Sequence, residues 1–310
     1  MKVLKPKFWD QNYFTFFSIL LYPFSIIYKF IFFIIKLFVT EKKFSIPIIS
    51  VGNIYLGGTG KTPISLKICK ILKEFEQNPV VVRKYYKNHE DEISLIRKHN
   101  KIITAKKRED AINLAIEKNF NFVVLDDGYQ DLNIKKDLNI ICFHSKQKTG
   151  NGQVIPAGPL RESLDTLINC QIVLINGVKD LQFEQKLMRY NPKLIFFYYN
   201  YFSKGIENLR NKKLIAFAGI GNPTNFFDFL KEKHLNLVKE LSYPDHYSYS
   251  EKDLEDLNKL EEKFKAKLIT TEKDHLRINS FVRKRFEYIK VEVKFEDEQG
   301  FKNSIKKLIK

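Results

Sequence analysis

A glycine-rich segment that ends in lysine and threonine is the part of the sequence best suited to chemistry. Gly57 to Thr62 reads Gly-Gly-Thr-Gly-Lys-Thr and follows the apolar residues 46–51. Glycines let successive backbone N–H groups point at phosphate oxygens, and a helix that starts there adds partial positive charge. Lys61 can reach the β- and γ-phosphates, and the Thr62 hydroxyl can ligate Mg²⁺. The segment predicts a nucleoside triphosphate site.

The segment differs from the strict phosphate-loop pattern at one position. That pattern has glycine where this chain has Tyr55. The alternative is a glycine-rich hairpin that happens to precede Lys-Thr. Apolar residues before the segment and a helical pattern over residues 61–75 favour the phosphate loop. The predicted nucleotide contacts in the loop are Tyr55, Leu56, Gly57, Gly58, Thr59, Gly60, Lys61 and Thr62.

Two acidic residues follow another predicted strand. Asp126 and Asp127 come directly after the apolar residues 120–125. Carboxylates at the carboxyl end of a parallel strand, beside a phosphate loop, suit Mg²⁺ coordination and the ordering of water. A type I turn built on Asp-Asp-Gly is the alternative. The phosphate loop upstream favours the metal site.

A long loop rich in glycine and proline covers residues 150–162 and ends in Arg161 and Glu162. Loops of this length without secondary structure are commonly functional. Arg161 could clamp a phosphate, and Glu162 could join the metal ligands. A surface Arg–Glu ion pair is the alternative.

Attack of a hydroxyl on a phosphate needs a proton acceptor, for which the sequence offers few candidates. Asp91 lies in a polar segment, predicted to be a loop, after the strand that ends at Val82. Asp245 and His246 follow a Ser-Tyr-Pro turn. An aspartate that accepts the hydroxyl proton, tuned by a nearby histidine, is sound chemistry. A second Asp-His pair at residues 274–275 shows that this dipeptide alone carries little information.

The amino-terminal region is the most apolar part of the chain. Residues 13–28 contain no charged side chain, and residues 30–35 are apolar again. A span needs about 20 apolar residues, and Pro23, Lys29 and Lys36 divide this region into shorter pieces. We therefore predict a membrane-embedded or interfacial helix. A helix that covers the soluble core is the alternative.

The excess of basic residues limits the classes of partner that the chain is expected to bind. The chain has 53 Lys and Arg against 36 Asp and Glu, a formal net charge of +17. This excess favours nucleic acid, an anionic membrane surface or a phosphorylated substrate. No nucleic-acid recognition motif accompanies the charge, so we predict no nucleic-acid partner. The three cysteines form no Cys-x-x-Cys pair and are predicted to be buried thiols in a reducing compartment.

Alternating apolar runs and helical patterns predict an α/β fold with a parallel sheet flanked by helices. The predicted strands are residues 46–51, 79–82, 120–125, 138–143, 171–175, 194–198, 214–218, 237–241, 267–270 and 288–293. The predicted helices are residues 61–75, 108–118, 223–233, 250–264 and 297–309. A polar stretch over residues 200–213 suggests a boundary. We predict a membrane-associated helix at 1–38, a P-loop NTPase-like domain at 39–205 and a smaller α/β domain at 206–310.

The ordered set of motifs resembles the tetraacyldisaccharide 4'-kinases, which phosphorylate the lipid A precursor. The resemblance covers nearly the whole chain, and the family's own loop also lacks the first glycine. After the apolar helix and the loop, the matching stretches are Asp-Asp-Gly-Tyr-Gln at 126–130, Pro-Ala-Gly-Pro-Leu-Arg-Glu at 156–162, residues 216–223, Pro-Asp-His at 244–246 and Thr-Glu-Lys-Asp at 271–274.

The resemblance implies a specific reaction and place. ATP, with Mg²⁺, would phosphorylate the 4'-hydroxyl of a tetraacyldisaccharide 1-phosphate to give lipid IVA. The enzyme would be a monomer at the cytoplasmic face of the inner membrane of a Gram-negative bacterium. Its basic surface would suit an anionic bilayer.

The resemblance also implies residue roles. Lys61 and the backbone of residues 57–60 would hold the phosphates, and Asp91 would be the base, with His246 as its partner and Asp245 orienting His246. The remaining metal and nucleotide contacts would be Thr62, Asp126, Asp127, Gln130, Arg161 and Glu162. The chain departs from the family near the base: residues 82–86 read Val-Arg-Lys-Tyr-Tyr, the following loop is shorter, and Glu90 replaces a glycine.

A second hypothesis comes from another class of protein. Membrane-recruited P-loop ATPase switches of the partitioning or targeting kind often have a similar loop core. Such a switch needs no base for an acceptor hydroxyl. The Arg161-Glu162 loop and the Asp245-His246 turn favour the kinase.

Overall fold

The computed structural model describes residues 6–11, 13–57, 60–86, 90–203 and 206–309. The chain divides into two compact units. The first comprises Met1–Tyr85, Asn100–Asn200 and Val293–Lys310, and the second comprises Tyr86–His99 and Tyr201–Glu292. The domain boundaries at residues 38 and 205 stay a prediction.

Strands and helices alternate along the described residues. The strands are β1 (Ile48–Gly52), β2 (Pro79–Lys84), β3 (Ile102–Ala105), β4 (Phe122–Asp126), β5 (Leu138–His144), β6 (Ile172–Asn176), β7 (Ile195–Phe202), β8 (Lys213–Ala218), β9 (Asn236–Ser242), β10 (Lys267–Thr271), β11 (Glu287–Ile289) and β12 (Glu292–Phe295). The α-helices are α1 (Phe16–Phe38), α2 (Lys61–Glu74), α3 (Glu90–His99), α4 (Arg108–Glu117), α5 (Leu181–Met188), α6 (Pro223–Glu232), α7 (Glu251–Phe264), α8 (Glu272–Arg277) and α9 (Glu298–Lys306).

The first unit is built on a sheet with the strand order β12-β7-β6-β5-β1-β4-β2-β3. Every pair from β7 to β3 is parallel. All residues of β1 and β4 are buried, as expected for strands covered on both faces. Val51 lies opposite Asp126 in the β1–β4 register. The end of β1, which leads into the glycine-rich loop, therefore lies beside the acidic end of β4.

The second unit has a smaller parallel sheet with the order β11-β10-β8-β9. Helix α7 packs Leu254 and Leu257 in one apolar cluster with Phe217 of β8. Helix α6 packs Phe227 in another cluster with Leu214 of β8. Strand β8 is therefore covered on both faces.

The predicted α/β class is confirmed, and the differences are local. The run predicted as one strand over 288–293 forms two strands, β11 and β12, that belong to different sheets. Apolar residues alternate through this run at Ile289, Val291 and Val293, so the local pattern does not show where the chain leaves one sheet. Strand β3 and helices α3, α5 and α8 were not predicted.

Helix α1 has 23 residues, and its most apolar stretch has a mean hydropathy of 2.0 and is only 11% buried. Among the described residues it alone is long and apolar enough to cross a membrane. Its N-cap is Thr15, whose side chain accepts a hydrogen bond from the backbone of Ser18. The buried residues of this apolar helix are serines, Ser18 and Ser25.

Candidate active site

The glycine-rich loop joins β1 directly to α2. Gly60 is the N-cap of α2 and has a φ of 80°, a left-handed conformation that glycine adopts at no steric cost. Lys61 begins the helix, and its Nζ donates to Asn53 Oδ1 at 3.0 Å. The Asn53 amide donates in turn to the carbonyls of Tyr55 at 2.5 Å and Gly57 at 3.1 Å. Gly58 and Thr59 lie outside the described residues.

The loop residues Tyr55 and Leu56 differ in exposure. Tyr55 is 2% exposed, and its hydroxyl donates to the Asp10 carboxylate. Only its backbone is therefore available to a ligand. Leu56 is 38% exposed.

Asp126 is a fully buried carboxylate at the end of β4. It accepts hydrogen bonds from the Thr62 hydroxyl at 3.1 Å and the Ser65 hydroxyl at 3.0 Å. Arg83, at the end of β2, forms an ion pair with the same carboxylate. The first turn of α2 and two adjacent strands therefore meet at this side chain. Arg83 had no predicted role.

Asp127 lies between two cations. Lys61 Nζ is 3.5 Å from its Oδ1, and Arg161 donates to both oxygens at 3.2 and 3.3 Å. Burial opposes ionisation of Asp127, but Lys61, Arg161 and Arg83 outweigh it and lower the pKa to about 2. Positive charge is therefore concentrated beside the loop.

The loop 150–162 lies against the phosphate loop. The Leu56 N–H donates to the Pro159 carbonyl at 2.8 Å, and the Arg161 N–H donates to the Ile54 carbonyl at 2.7 Å. The Gln130 side chain donates to the Asn53 carbonyl at 2.7 Å. The structure thus brings Lys61, Thr62, Asp126, Asp127, Gln130 and Arg161 together, although they come from three separate segments.

Glu162 is 6% exposed and has a different neighbour. Its Oε2 lies 3.6 Å from Lys36 Nζ, at the end of α1. Its Oε1 is buried and has no hydrogen-bond partner among the described residues. Burial raises the pKa of Glu162 even though Lys36 opposes the shift.

The residues fit Mg²⁺ by donor type. The Thr62 hydroxyl and the Asp126 carboxylate converge at 3.1 Å, and both are the hard oxygen donors that Mg²⁺ prefers. Among the described residues, no three acidic, histidine or cysteine side chains converge on one point.

The second cluster of predicted residues lies in the second unit and centres on Asp91. His246 Nδ1 is 3.1 Å from both Asp91 oxygens. His246 Nε2 is 3.8 Å from Asp245 Oδ2. Asp91 lies in the first turn of α3, where acidic residues are stabilised by the helix dipole, and not in the predicted loop. The structure therefore brings Asp91 together with Asp245 and His246, although Asp91 and His246 are 155 positions apart in the chain.

Two cations without a predicted role, Arg277 and Lys273, also contact Asp91. Arg277 donates through Nε at 2.8 Å, and Lys273 Nζ lies at 3.5 Å. Burial opposes the charged form of Asp91, but the His246 hydrogen bond and these two cations hold its pKa well below the ordinary value. Asp91 is therefore an ionised carboxylate at neutral pH.

Arg277 is fixed by further contacts. Its Nη1 donates to the Gly219 carbonyl at 2.5 Å and to Asp274 Oδ1 at 2.7 Å. The same Asp274 oxygen accepts from the Gly219 N–H at 3.0 Å. Gly219 follows β8, and α8 follows the adjacent strand β10, so these residues share the carboxyl edge of the sheet, where ligands commonly bind. That position was the signal that would have indicated Arg277 and Lys273.

The chemistry available therefore differs between the two clusters. The first offers helix N–H groups, two cations and hard oxygen donors, which suit a polyphosphate with its metal. The second offers an ionised carboxylate beside an imidazole, which suits the acceptance of a proton from a hydroxyl.

Comparison with known proteins agrees with this chemistry. Residues 17–310 match the family described as Tetraacyldisaccharide-1-P 4'-kinase. The chain belongs to this family. It is 39% identical over 314 residues to the tetraacyldisaccharide 4'-kinase of Pelagibacter ubique strain HTCC1062, with 99% of each chain covered. It is 34% identical over 295 residues to the enzyme of the same name from Rickettsia bellii strain OSU 85-389, with 90% of each covered.

A solved structure supports the kinase-family fold. The crystal structure of LpxK from Aquifex aeolicus in complex with ATP superposes with a TM-score of 0.71 at 24% identity. The alignment covers 94% of this chain and 99% of the Aquifex chain. The resemblance inferred from the sequence motifs is thus confirmed.

Proposed function

We propose that this chain transfers the γ-phosphoryl group of ATP to the 4'-hydroxyl of tetraacyldisaccharide 1-phosphate, in the synthesis of lipid A. The observation that carries the proposal is the convergence of Lys61 and Arg161 with the Thr62–Asp126 pair at the glycine-rich loop. The relatives named tetraacyldisaccharide 4'-kinase and the family match support the acceptor.

The first unit would hold the nucleotide. The N–H groups at the start of α2 and the Lys61 ammonium would contact the β- and γ-phosphates, and Arg161 would add charge at the transferred group. Thr62 and Asp126 would hold Mg²⁺, which when bound neutralises charge on the phosphates. Asp127 keeps Lys61 and Arg161 beside the site, and Glu162 has an unpaired oxygen for a further contact.

Asp91 would orient the 4'-hydroxyl and accept its proton, and His246 and Asp245 would support it. A carboxylate with a lowered pKa is a weak base. Phosphoryl transfer proceeds through a loose transition state and depends chiefly on positioning and electrostatics. A well-oriented, weakly basic carboxylate therefore suits this reaction.

The exposed apolar surface of α1 supports association with a bilayer. Large apolar side chains such as Phe24 (58% exposed) and Ile27 (56% exposed) face solvent, and such surfaces commonly mark membrane contacts. The net charge of +17 suits the anionic cytoplasmic leaflet. We propose that the protein acts as a monomer at that face of the inner membrane.

The proposal is tested by incubating the purified protein with ATP, Mg²⁺ and the disaccharide 1-phosphate. Mass spectrometry should show one added phosphate on the lipid, and ADP should form in equal amount. Lys61→Ala serves as the control for contaminating kinases. ADP formation that is independent of the acceptor, with no phosphorylated lipid, would favour the P-loop ATPase switch, which the family match does not favour.

A further inference from the structure

The serines buried in α1 contact the loop 150–162, which we call the strap. Ser25 is 0% exposed. Its hydroxyl donates to the Val154 carbonyl at 2.9 Å and accepts from the Ala157 N–H at 3.0 Å. A helix that contacted only lipid would not need a buried hydroxyl that both donates and accepts a hydrogen bond, because moving a polar group into an apolar phase costs free energy. Ser25 therefore has a specific partner in the protein.

Other polar side chains of α1 continue this contact. Asn151 of the strap donates to Ser18 Oγ at 3.1 Å, and the Tyr28 hydroxyl donates to the Arg161 carbonyl at 2.9 Å. Spacings of seven and three residues place Ser18, Ser25 and Tyr28 on one side of a helix. The polar stripe of α1 thus faces the strap, whereas many of its apolar side chains are exposed.

The strap also contacts the phosphate loop. Leu160 forms a β-bridge with Tyr55, and the Leu56 N–H donates to the Pro159 carbonyl. Arg161 connects the two sides: its carbonyl accepts from Tyr28, its N–H donates to Ile54, and its guanidinium contacts Asp127. A displacement of the strap would therefore move Arg161 and the backbone of residues 54–57 together.

We infer that Ser25 and Tyr28 are positioning residues for nucleotide binding, which act through the strap and Arg161. Polar anchors of the membrane-associated helix hold the strap, and the strap holds the phosphate loop and the Arg161 guanidinium in the geometry that receives phosphate. The inference rests on the proposed function, because it takes the phosphate loop as the ATP site.

The experiment measures ATP affinity of the full chain by isothermal titration calorimetry with Mg²⁺ and without acceptor. Tyr28→Phe and Ser25→Ala should each weaken ATP binding about five- to tenfold, the factor expected when one hydrogen bond that holds the binding geometry is lost. The matched controls are Phe24→Ala and Ile27→Ala, at exposed positions of the same helix. The controls should keep the wild-type affinity for ATP and bind less to vesicles that contain anionic lipid.

A double-mutant cycle distinguishes positioning from general destabilisation. If Tyr28 acts through Arg161, Tyr28→Phe should have no further effect on ATP affinity in an Arg161→Ala background. The KM for ATP should rise in the single variants while the KM for the lipid acceptor stays unchanged. Independent, multiplicative losses in the cycle would contradict the inference.

The outcomes separate the two proposals. Wild-type protein that does not bind ATP would contradict the proposed function itself. If the wild type binds ATP and Tyr28→Phe binds it with the same affinity, the positioning role of Tyr28 and the strap is contradicted. The proposed function is then unaffected. Tyr28→Phe removes a single oxygen, so it decides the question alone if Ser25→Ala does not fold.

Discussion

Asp127 in the first unit and Asp91 in the second each lie between basic side chains, but the cations differ in how they are held. Lys61 and Arg161 are partly exposed, with 13% and 26% of their side chains accessible, and phosphate could replace Asp127 as their partner. Arg277 is 7% exposed and is also bound to Asp274 and the Gly219 carbonyl. We therefore expect phosphate to displace Asp127 from Lys61 and Arg161. Arg277, in contrast, is held in place and supports the Asp91 carboxylate.

The pKa is lowered at both Asp127 and Asp91, but the ionised carboxylate has a different consequence at each position. At Asp127 the neighbouring cations overcome burial and lower the pKa. At Asp91 the His246 hydrogen bond and then Lys273 and Arg277 do so. At Asp127 this charge holds Lys61 and Arg161 beside the glycine-rich loop. At Asp91 it keeps a carboxylate ionised beside His246, which is the state that can accept a proton.

The largest expected effect is that of Lys61→Ala. It removes a cation that would contact the transferred phosphate, so the rate should fall on the order of 10³-fold. The matched control is Lys70→Ala, at an exposed position of the same helix. If Lys61→Ala kept activity near that of the wild type at saturating ATP, this would contradict the proposal that Lys61 exchanges Asp127 for phosphate.

Arg277→Gln should act mainly on stability. It leaves the buried Asp91 carboxylate without its closest cation, so the free energy of unfolding should fall by about 3 kcal/mol. The comparison is Arg161→Gln, where a partly exposed pair should contribute about 1 kcal/mol or less. Urea denaturation measures both. Equal losses of unfolding free energy in Arg277→Gln and Arg161→Gln would show that the two arginines are held equally firmly.

Asp91→Asn and His246→Ala should lower kcat about 10²-fold, the contribution of a general base. Nucleotide affinity should stay close to wild type, because the proposed nucleotide contacts are Lys61, Thr62, Asp126 and Arg161 and include neither residue. The double variant should lose little more than the worse single variant, as expected for residues that act together. Fully multiplicative losses in steady-state kinetics would separate Asp91 from His246.

The smallest effect concerns acid stability. The pKa of Asp91 in the folded protein lies below its ordinary value of 3.8, so its contribution to stability is complete above about pH 4 and is lost as the pH falls further. The difference in unfolding free energy between wild type and Asp91→Asn should be constant from pH 7 to about 5 and shrink below about pH 4. The exposed Asp245→Asn provides the comparison. A difference that stayed constant down to pH 3 would contradict the ion-pairing of Asp91.

Several features of the fold could be predicted from local sequence because their causes are local. The glycines at 57 and 60, followed by Lys61, predicted the loop, since only such a run permits its backbone geometry. Buried apolar runs predicted β1 and β4 to within two residues of their observed ends. The polar segment around Asp91 was wrongly predicted to be a loop, because its charged residues at 90–92 hide a short amphipathic helix whose buried side chains are Asp91, Ile93 and Ile96.

The partners of the functional side chains were decided by the tertiary structure. Arg83 lies 43 positions from Asp126, and Arg277 lies 186 positions from Asp91. Ser25 lies 129 positions from Val154. The parallel α/β class, the glycine-rich loop and the apolar helix could be predicted from local sequence, because glycine geometry and apolar periodicity act over a few residues. Only packing determined which cation stabilises which carboxylate, since hydrogen bonds and ion pairs depend on distance in space and not on distance along the chain.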